Sequence, residues 1–464
     1  MRGTSTFSLN DQPLIYVDGV RVDNRANTGP ITRGSSGFMS RMNDVNPEDI
    51  EQIEVIKGPA AATLYGTEAA NGVIQIITKR GKAGDRPVLE LAVRQGYSAL
   101  ANPEGWFPDA YQVINGELRT LNLIRQESER GTPFFRTGHN QGYNLNASGG
   151  TSTLQYYLGG EFDRDEGVLP GNDARRLGAR VNLTITPSDK FTASTNFFLA
   201  SGHTAIGDPF NSVLFNLWSG VPSLAETPRR GFFTAPPEVI NALQEAWQST
   251  DRFTVSTQMT HRPNRWLSHR VSVGLDLTNE EDVNFRRQAS PEQAVFFTPL
   301  IASGGKFLNR QRVSNITLDY AATGTVSLSN SLSSSTSAGL QHYRNRYANV
   351  YAEGVGFPSA VLQTISAAAT KQGSESYVEN ASVGVFLQEQ LSWKDRLFLT
   401  GAIRVDNNSA FGSDFDFVTY PKASLSWVVS EEPFWGGSLV NQLKLRAAYG
   451  ASGQQPQTFA AIRT

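Results

Sequence analysis

The chain contains no cysteine among its 464 residues, which excludes disulfide bonds and cysteine-ligated metal sites. It has no apolar run approaching about 18 residues, so we expect no membrane-spanning helix. The formal net charge of −2 gives no sign of a nucleic-acid-binding surface. These absences do not exclude a β-barrel, because its lipid-facing side chains occupy only every second position and are not detected by averaged hydropathy.

The sequence also lacks the common signatures of catalysis. It has no phosphate-binding GxxxxGK(S/T) loop, no GxSxG nucleophile elbow and no HExxH zinc motif. The five histidines lie apart in the sequence, and the paired acids Glu280–Glu281 and Glu431–Glu432 are interpreted as solvated strand ends. We therefore expect no enzyme activity, no cofactor and no metal site.

From Val88 onward, apolar and polar residues alternate with a period of two, which indicates β-strands with one apolar face. In the clearest run, one face carries Leu177, Ala179, Val181, Leu183 and Ile185, and the other carries Gly178, Arg180, Asn182, Thr184 and Thr186. The alternation recurs at 191–199, 271–277, 316–328, 383–387, 397–405, 423–429 and 443–449. It predicts about thirteen strands between Val88 and Ser452.

Two properties of these runs favour a membrane barrel over a soluble β-sandwich, in which one face also packs on a core. Many runs have about nine to eleven residues or more, enough to cross a hydrocarbon core at a tilt. Their polar faces are rich in Ser, Thr, Asn and Gly, which suits a wet or plugged lumen.

Connections of two lengths separate the runs. Short turns are predicted at 150–152, 187–189, 329–331 and 394–395. Long loops are predicted over Ala101–Thr137, Ala205–Arg252 and Ala289–Gly304. Short turns that alternate with long loops are typical of outer-membrane barrels, whose long loops lie outside the cell.

The stretch from Asn46 to Arg80 differs from the alternating runs. Asn46 is a candidate N-cap for a short helix, and a strand follows from Ile53 to Lys57. Gly58–Pro59 stops this strand, Ala60–Tyr65 suits one or two helical turns, and Gly66 ends them. Asn71–Gly72 is a turn signal before a buried strand at Val73–Thr78. The stretch predicts a compact mixed α and β unit.

The same stretch resembles the plug of TonB-dependent outer-membrane receptors. The matching segments are IEQIEVIKGP, a small-residue turn carrying LYG, and NGVIQIITK, with PLIYVDGVRV upstream. The form AANGVIQIITKRG is most similar to the SusC/RagA-like branch, and RLFLTGAIRVDNNSAFG, YPKASLSWVVSEEPFW and LKLRAAYGASGQQP resemble its barrel strands. The signature residues are Asp18, Gly19, Glu51, Glu54, Lys57, Gly58, Pro59, Tyr65, Gly66, Asn71 and Gly72.

The resemblance implies an all-β transmembrane antiparallel β-barrel with a small α+β N-terminal plug domain. We expect a partial plug at 1–84 and a partial barrel at 85–464, with about 13 of the roughly 22 strands of a plugged transporter. The signal peptide, the TonB-contacting segment and the C-terminal strands are expected outside this sequence. A downstream extension of roughly 200 to 400 residues would supply those strands.

By this resemblance, the protein imports a large nutrient, a glycan or a peptide, across the outer membrane of a Gram-negative bacterium. The implied partners are outer-membrane lipid, the TonB-ExbB-ExbD complex, a SusD-like lipoprotein and the extracellular ligand. A siderophore or cobalamin receptor is the first alternative, because the same plug motif serves both. A soluble all-β binding module or adhesin is the second.

Two sets of side chains are candidates for function within that resemblance. Glu51, Glu54 and Lys57 lie on the strand that the family uses to seat the plug, facing lumen groups such as Arg180 and Arg404. We expect these contacts to be polar, wet and individually weak, as suits a removable stopper. The loop aromatics Trp106, Phe107, Phe134 and Trp218 either contact a ligand, pack the loops together or belong to the membrane-interface girdle.

Overall fold

A computed structural model describes residues 12–30, 39–57, 65, 69, 71–84, 86–207, 216–409, 417–436 and 440–451. The strands of its N-terminal part are β1 Leu14–Val17, β2 Val20–Arg21, β3 Ala26–Thr28, β4 Met39–Ser40, β5 Ile50–Ile56 and β6 Val73–Thr78. The strands that follow are β7 Val88–Ser98, β8 Ala110–Ile114, β9 Glu117–Leu121, β10 Gly138–Gly150, β11 Leu154–Glu166, β12 Asp173–Ser188, β13 Phe191–Ile206, β14 Gln244–His261, β15 Leu267–Arg286, β16 Gly305–Ser329, β17 Leu332–Val355, β18 Thr370–Trp393, β19 Leu397–Asn408, β20 Val418–Val428 and β21 Lys444–Gly450.

The helices are short. The α-helices are α1 Pro103–Trp106, α2 Leu123–Glu129, α3 Pro237–Leu243, α4 Pro291–Ala294 and α5 Pro299–Ala302. The 3₁₀ turns are Arg41–Asp44, Pro47–Asp49, Pro222–Leu224, Ile365–Ala367 and Val429–Glu431. Within the described residues, no helix is long and apolar enough to cross a membrane.

The N-terminal unit, β1–β6, is built around a four-stranded sheet in the order β2-β1-β6-β5. β1 runs parallel to β6, and β5 runs antiparallel to it. Because side chains alternate along β1, Leu14 and Tyr16 pack on one side of the sheet, whereas Ile15 and Val17 pack on the other. The strand at Val73–Thr78 is confirmed, and Gly72 precedes it with φ +96°, a conformation that favours glycine.

Thirteen antiparallel strands within the described residues form one large sheet, in the order β7 and then β10 to β21. Each strand pairs with its neighbour in sequence, so the sheet is an up-and-down meander. β7 and β21 are the two edges, and the sheet is not closed into a barrel. The predicted fold class and the predicted number of strands are confirmed.

The two faces of the large sheet differ as the alternation predicts. On β12, Arg180 and Asn182 are buried beneath the N-terminal unit, and Asn182 donates to the carbonyl of Lys79 at 2.8 Å. Leu177 and Ile185 on the opposite face are 61% and 45% exposed. No second sheet covers this apolar face among the described strands. The sandwich interpretation is therefore wrong, because it requires the apolar faces to be buried between two layers.

The short turns lie at one end of the sheet, together with the connection at 429–443, and the other long connections lie at the opposite end. The long connections at 99–137 and 287–304 agree with the predicted loops. The predicted loop Ala205–Arg252 is wrong at its edges, because β13 continues to Ile206 and β14 begins at Gln244. The strands are long, as predicted, with 25 residues in β16 and 24 in β17 and β18.

Candidate functional site

The β1–β2 hairpin places the tip of the N-terminal unit against the large sheet. Asp18 and Gly19 form the turn with φ +47° and +83°. The Asp18 carboxylate accepts hydrogen bonds from the Thr78 backbone at 3.1 Å and from its hydroxyl at 2.6 Å, which ties β1 to β6. The next residue, Val20, is 1% exposed and fills the space beside Gly274 of β15. A Cβ at position 274 would lie 1.9 Å from Val20 Cγ2, so only glycine fits there.

Arg252 of β14 is the centre of the contact. Its guanidinium donates to Asp276 at 2.9 and 3.2 Å and to Asp44 at 3.3 Å. It also donates to the backbone carbonyls of Arg41 at 2.9 Å and Asp23 at 3.3 Å. Its side chain is 1% exposed, and that of Asp276 is 0% exposed. One arginine of the sheet therefore holds two segments of the N-terminal unit, the turn Arg41–Asp44 and the segment at Asp23, in a buried site.

Two arginines of the N-terminal unit complete this network from the other side. Arg41 donates to Thr250 at 2.6 Å and Gln248 at 3.1 Å, and it lies 3.6 Å from Glu280. Arg25 lies 3.6 Å from the same carboxylate. The prediction that Glu280 is a solvated strand end is wrong, because its side chain is 2% exposed beneath these arginines. Its carboxylate instead bridges the two units.

A second buried cluster surrounds Asp49. Asn46 caps the turn Pro47–Asp49 by accepting a hydrogen bond from the Glu48 backbone at 3.0 Å, as predicted. This turn presents the Asp49 carboxylate to Arg180 at 2.8 Å and to the Tyr157 hydroxyl at 2.8 Å. The Arg180 and Tyr157 side chains, which belong to the large sheet (the wall), are 3% exposed or less. The short helix predicted from the sequence thus serves to aim one carboxylate at the sheet.

Burial dominates the electrostatics of this contact. Desolvation raises the pKa of the Asp44 carboxyl above its ordinary value, although Arg41 and Arg252 act to lower it. The ionised form of Asp44 therefore opposes folding above that pKa, and protonation relieves the cost as the pH falls. The expected weak, wet contacts are corrected by these observations: the contacts are polar, but they are desolvated, so breaking one leaves a buried charge unpaired.

The predicted signature residues lie in two places. Asp18, Gly19, Glu51 and Tyr65 line a cavity of about 320 Å³ between the N-terminal unit and the large sheet. The wall of the cavity includes the ion pair of Arg270 with Asp319, 3.6 Å apart.

The remaining signature residues lie elsewhere. Glu54 and Lys57 are exposed on and just after β5, and Glu54 accepts from Gln52 at 2.9 Å. Asn71 is half-buried before Gly72. Positions outside the described residues are Gly58, Pro59, Gly66 and most of the predicted helix at 60–65. The seating role of Glu51, Glu54 and Lys57 stays a prediction.

The long loops fold into a cap with its own apolar core. Phe107 and Phe134 are 8% and 5% exposed in a cluster with Phe232 and Ile240, drawn from the 99–137 and 216–243 loops. Trp106 and Trp218 are 66% and 62% exposed. Packing of the loops accounts for the two phenylalanines, and contact with a ligand stays a prediction for the two tryptophans.

Two of the histidines are neighbours on the large sheet. His261 and His269 pair across β14 and β15 with stacked rings 6.1 Å apart, and His269 contacts the Tyr320 hydroxyl at 2.9 Å. No group of three or more His, Cys, Asp or Glu side chains suited to a metal occurs in the described part of the chain.

The residues that hold the two units together were largely missed in the sequence. Asp276 and Glu280 stand at inward positions of β15, where Thr278 lies between them on the same face. Charged residues in the middle of a polar face were a usable signal, because a charge buried on a strand needs a partner across the lumen. The partners themselves, such as Asp44, carry no mark in the sequence.

Two family models match the chain. The TonB-dependent receptor plug domain matches residues 1–73, and the TonB-dependent receptor-like β-barrel matches residues 198–464. The boundary predicted at 84 falls between them and stays a prediction. The barrel match alone covers more than half of the chain.

Individual relatives agree with these models. TonB-dependent receptor SusC of Bacteroides thetaiotaomicron is 26% identical, over 98% of this chain and 47% of its own length. The RagAB peptide importer superposes with a TM-score of 0.78 at 18% identity, over 98% of this chain and 55% of that chain. The ferric enterobactin receptor PirA of Pseudomonas aeruginosa is 47% identical, over 15% of this chain and 9% of its own length.

The chain spans about half the length of the curated relatives that it matches over most of its own length. The matches to SusC and RagAB run through both the N-terminal unit and the large sheet, so the resemblance to the SusC/RagA-like branch is confirmed. The named relatives are receptors and transporters. On this evidence the chain belongs to the TonB-dependent receptors of the Gram-negative outer membrane.

Proposed function

We propose that the protein containing this chain imports a large nutrient, a glycan or a peptide, across the outer membrane and has no catalytic activity. In this proposal the N-terminal unit is a plug seated in a barrel, and the TonB-ExbB-ExbD complex supplies the force that displaces it. A SusD-like lipoprotein covers the extracellular side. The observation that carries the proposal is the buried ionic contact between the plug and the large sheet, in which Arg252 pairs with Asp44 and Arg180 with Asp49.

The strength of this contact argues for energised transport. A buried ion pair resists a partial separation of the plug from the sheet, because a partner that is still desolvated is left without its counter-charge. Arg252 and Arg180 each make such a pair with the plug, through Asp44 at 3.3 Å and Asp49 at 2.8 Å. A ligand that binds weakly from outside could not displace both pairs, so an external force on the plug is required.

The loop cap supports a large ligand. Its apolar core is fixed by Phe107, Phe134 and Phe232, whereas the Trp106 and Trp218 rings remain exposed on it. Exposed indole rings on a fixed scaffold provide flat surfaces for sugar rings or apolar peptide side chains. RagAB, whose fold this chain shares, is described as a peptide importer. Neither observation chooses between glycan and peptide.

Growth and uptake by a mutant strain test the proposal. The gene encoding this chain is deleted in frame in its own bacterium, and the strain is supplied with glycans, peptides or ferric siderophores as limiting nutrients. We expect loss of growth on one glycan or peptide class, restored by the gene and abolished by a protonophore.

Other outcomes separate the alternatives. Loss of ferric siderophore uptake alone would favour the siderophore receptor, to which the short PirA match points. Uptake that survives the protonophore would contradict TonB coupling. Copurification of a lipoprotein with the tagged receptor, from cells that take up the nutrient normally, tests the SusD-like partner. Absence of the lipoprotein from that preparation would contradict the assignment.

A further inference from the structure

On the outward face of β16–β18, apolar side chains give way to charged ones toward the long loops. Toward the short turns this face carries Ile316, Leu318 and Val385, which are 36–48% exposed. Toward the long loops, the outward positions of β16 carry Ser314 and then Arg312, and those of β17 carry Arg344 and Arg346. Arg344 pairs in register with Ile316, and Arg346 follows one outward position further on. The apolar band thus ends at guanidinium groups on β16 and β17.

We call Arg312, Arg344 and Arg346 the arginine patch. Glu379 accepts from Arg344 at 2.8 and 2.9 Å and from Arg346 at 3.0 Å, so two arginines share one carboxylate. Arg312 has no carboxylate within ion-pair distance in the described part of the chain, and it is exposed. Three cations against one anion leave an excess of two positive charges.

The surroundings of the patch do not cancel this excess. Arg310, at the next outward position, is neutralised by Glu281 at 2.5 Å. Asp251 lies in the row of Arg312 but two strands away, about 10 Å across the sheet, and Glu375 lies two strands away on the other side, one outward position nearer the long loops. Neither carboxylate is within ion-pair distance of Arg312. The Tyr377 ring is 51% exposed and lies 5.4 Å from the Arg346 guanidinium. Tyrosine at the edge of an apolar band is typical of the membrane interface.

We infer that the arginine patch binds the phosphate-bearing headgroup of an outer-leaflet lipid of the lipid A type. Guanidinium groups bind phosphate oxygens in pairs, and Arg344 and Arg346 present two such groups side by side. The long loops lie at the same end of the strands, which places the patch in the outer leaflet. Acyl chains of the same lipid lie against Ile316 and Leu318. Free phosphate would satisfy the charges but would leave this apolar surface uncovered.

Native mass spectrometry of the full receptor, purified from its own membrane in mild detergent, tests this site. Replacing Arg312, Arg344 and Arg346 together with glutamine should weaken lipid A binding roughly 100-fold, since each of the three arginines near a headgroup contributes about fivefold. Arg164→Gln is the matched control. Arg164 is also on the extracellular half of the wall, but Asp173 at 3.0 Å neutralises it, so lipid retention should not change.

Two further measurements keep the inference open to refutation. Glu379→Gln frees two arginines and should tighten lipid A binding; unchanged or weaker binding by this variant would overturn the inference, even if the triple variant failed to fold. Heat-modifiable gel migration reports folding. Titration of delipidated receptor compares lipid A, dephosphorylated lipid A and inorganic phosphate. Two results would also overturn the inference. Inorganic phosphate could stabilise the receptor as much as lipid A does, or dephosphorylated lipid A could stabilise it as much as lipid A does.

Discussion

Removing the Arg252 guanidinium tests whether buried ion pairs hold the plug on the wall. In Arg252→Met, Asp276 keeps its hydrogen bonds from Thr254 at 2.7 Å and Asn315 at 3.3 Å but loses its cation. Because those bonds remain, we take the lower end of the cost of an unpaired buried charge, about 3 kcal/mol. Asp44 loses a partner as well.

Hydrogen exchange of the full receptor measures this loss, because local opening of the plug exposes the amides of β1. About 3 kcal/mol corresponds to a roughly 150-fold faster exchange of these amides when opening is at equilibrium. The double variant Arg252→Met/Asp276→Asn removes both charges and should recover most of the protection. Arg119→Ala is the exposed control, since its partner Glu117 is 75% exposed.

Two results would refute the reasoning. Exchange in Arg252→Met that is less than about tenfold faster would show that the buried pair contributes no more than a surface pair. A double variant that exchanges faster than the single variant would show that packing, and not the unpaired charge of Asp276, dominates the cost. In either case the plug would be held chiefly by its apolar contacts.

Two further predictions concern packing. Gly274→Ala forces its Cβ against Val20 and should speed hydrogen exchange of the β1–β2 hairpin amides by roughly 5- to 150-fold. The control is Gly401→Ala, whose Cβ meets open space and should leave the exchange unchanged. Equal exchange rates in the two variants would contradict the close contact of Val20 with Gly274. Phe232→Ala empties the centre of the loop core, where the ring is 0% exposed, and should lower loop stability by about 3 to 5 kcal/mol. Limited proteolysis of the loops measures it, with the exposed Trp106→Ala as the control.

Much of the wall follows from the sequence, because lipid on one side and a polar lumen on the other enforce a period of two. The run from Leu177 to Ile185 shows this directly, since its two faces lie where the alternation puts them. The start of β14 escaped prediction for a physical reason. Outward positions such as Glu245 and Asp251 lie beyond the apolar band, where the strand continues but no lipid demands an apolar side chain.

The contact between plug and wall could be predicted only in part. Asp18 is marked by the turn that needs it, and Asn46 by its capping position, so both were found. Arg41 and Asp44 look like ordinary surface charges, because their burial depends on wall residues about 200 positions away in the chain, such as Thr250. Pairing across such distances in sequence depends on how the plug packs against the sheet in the folded chain, and no local sequence pattern predicts it.

The fit of Val20 beside Gly274 also constrains how these receptors can be recombined. A plug placed in the barrel of another receptor must carry, at position 20, a side chain whose volume matches the space at position 274. Otherwise the two will clash or leave a cavity between them. Val20→Ala paired with Gly274→Ala removes two methyl groups from the plug and adds one to the sheet, which relieves the clash at a net loss of about one methyl group of filled volume. Chimaeric receptors should therefore exchange these two positions together.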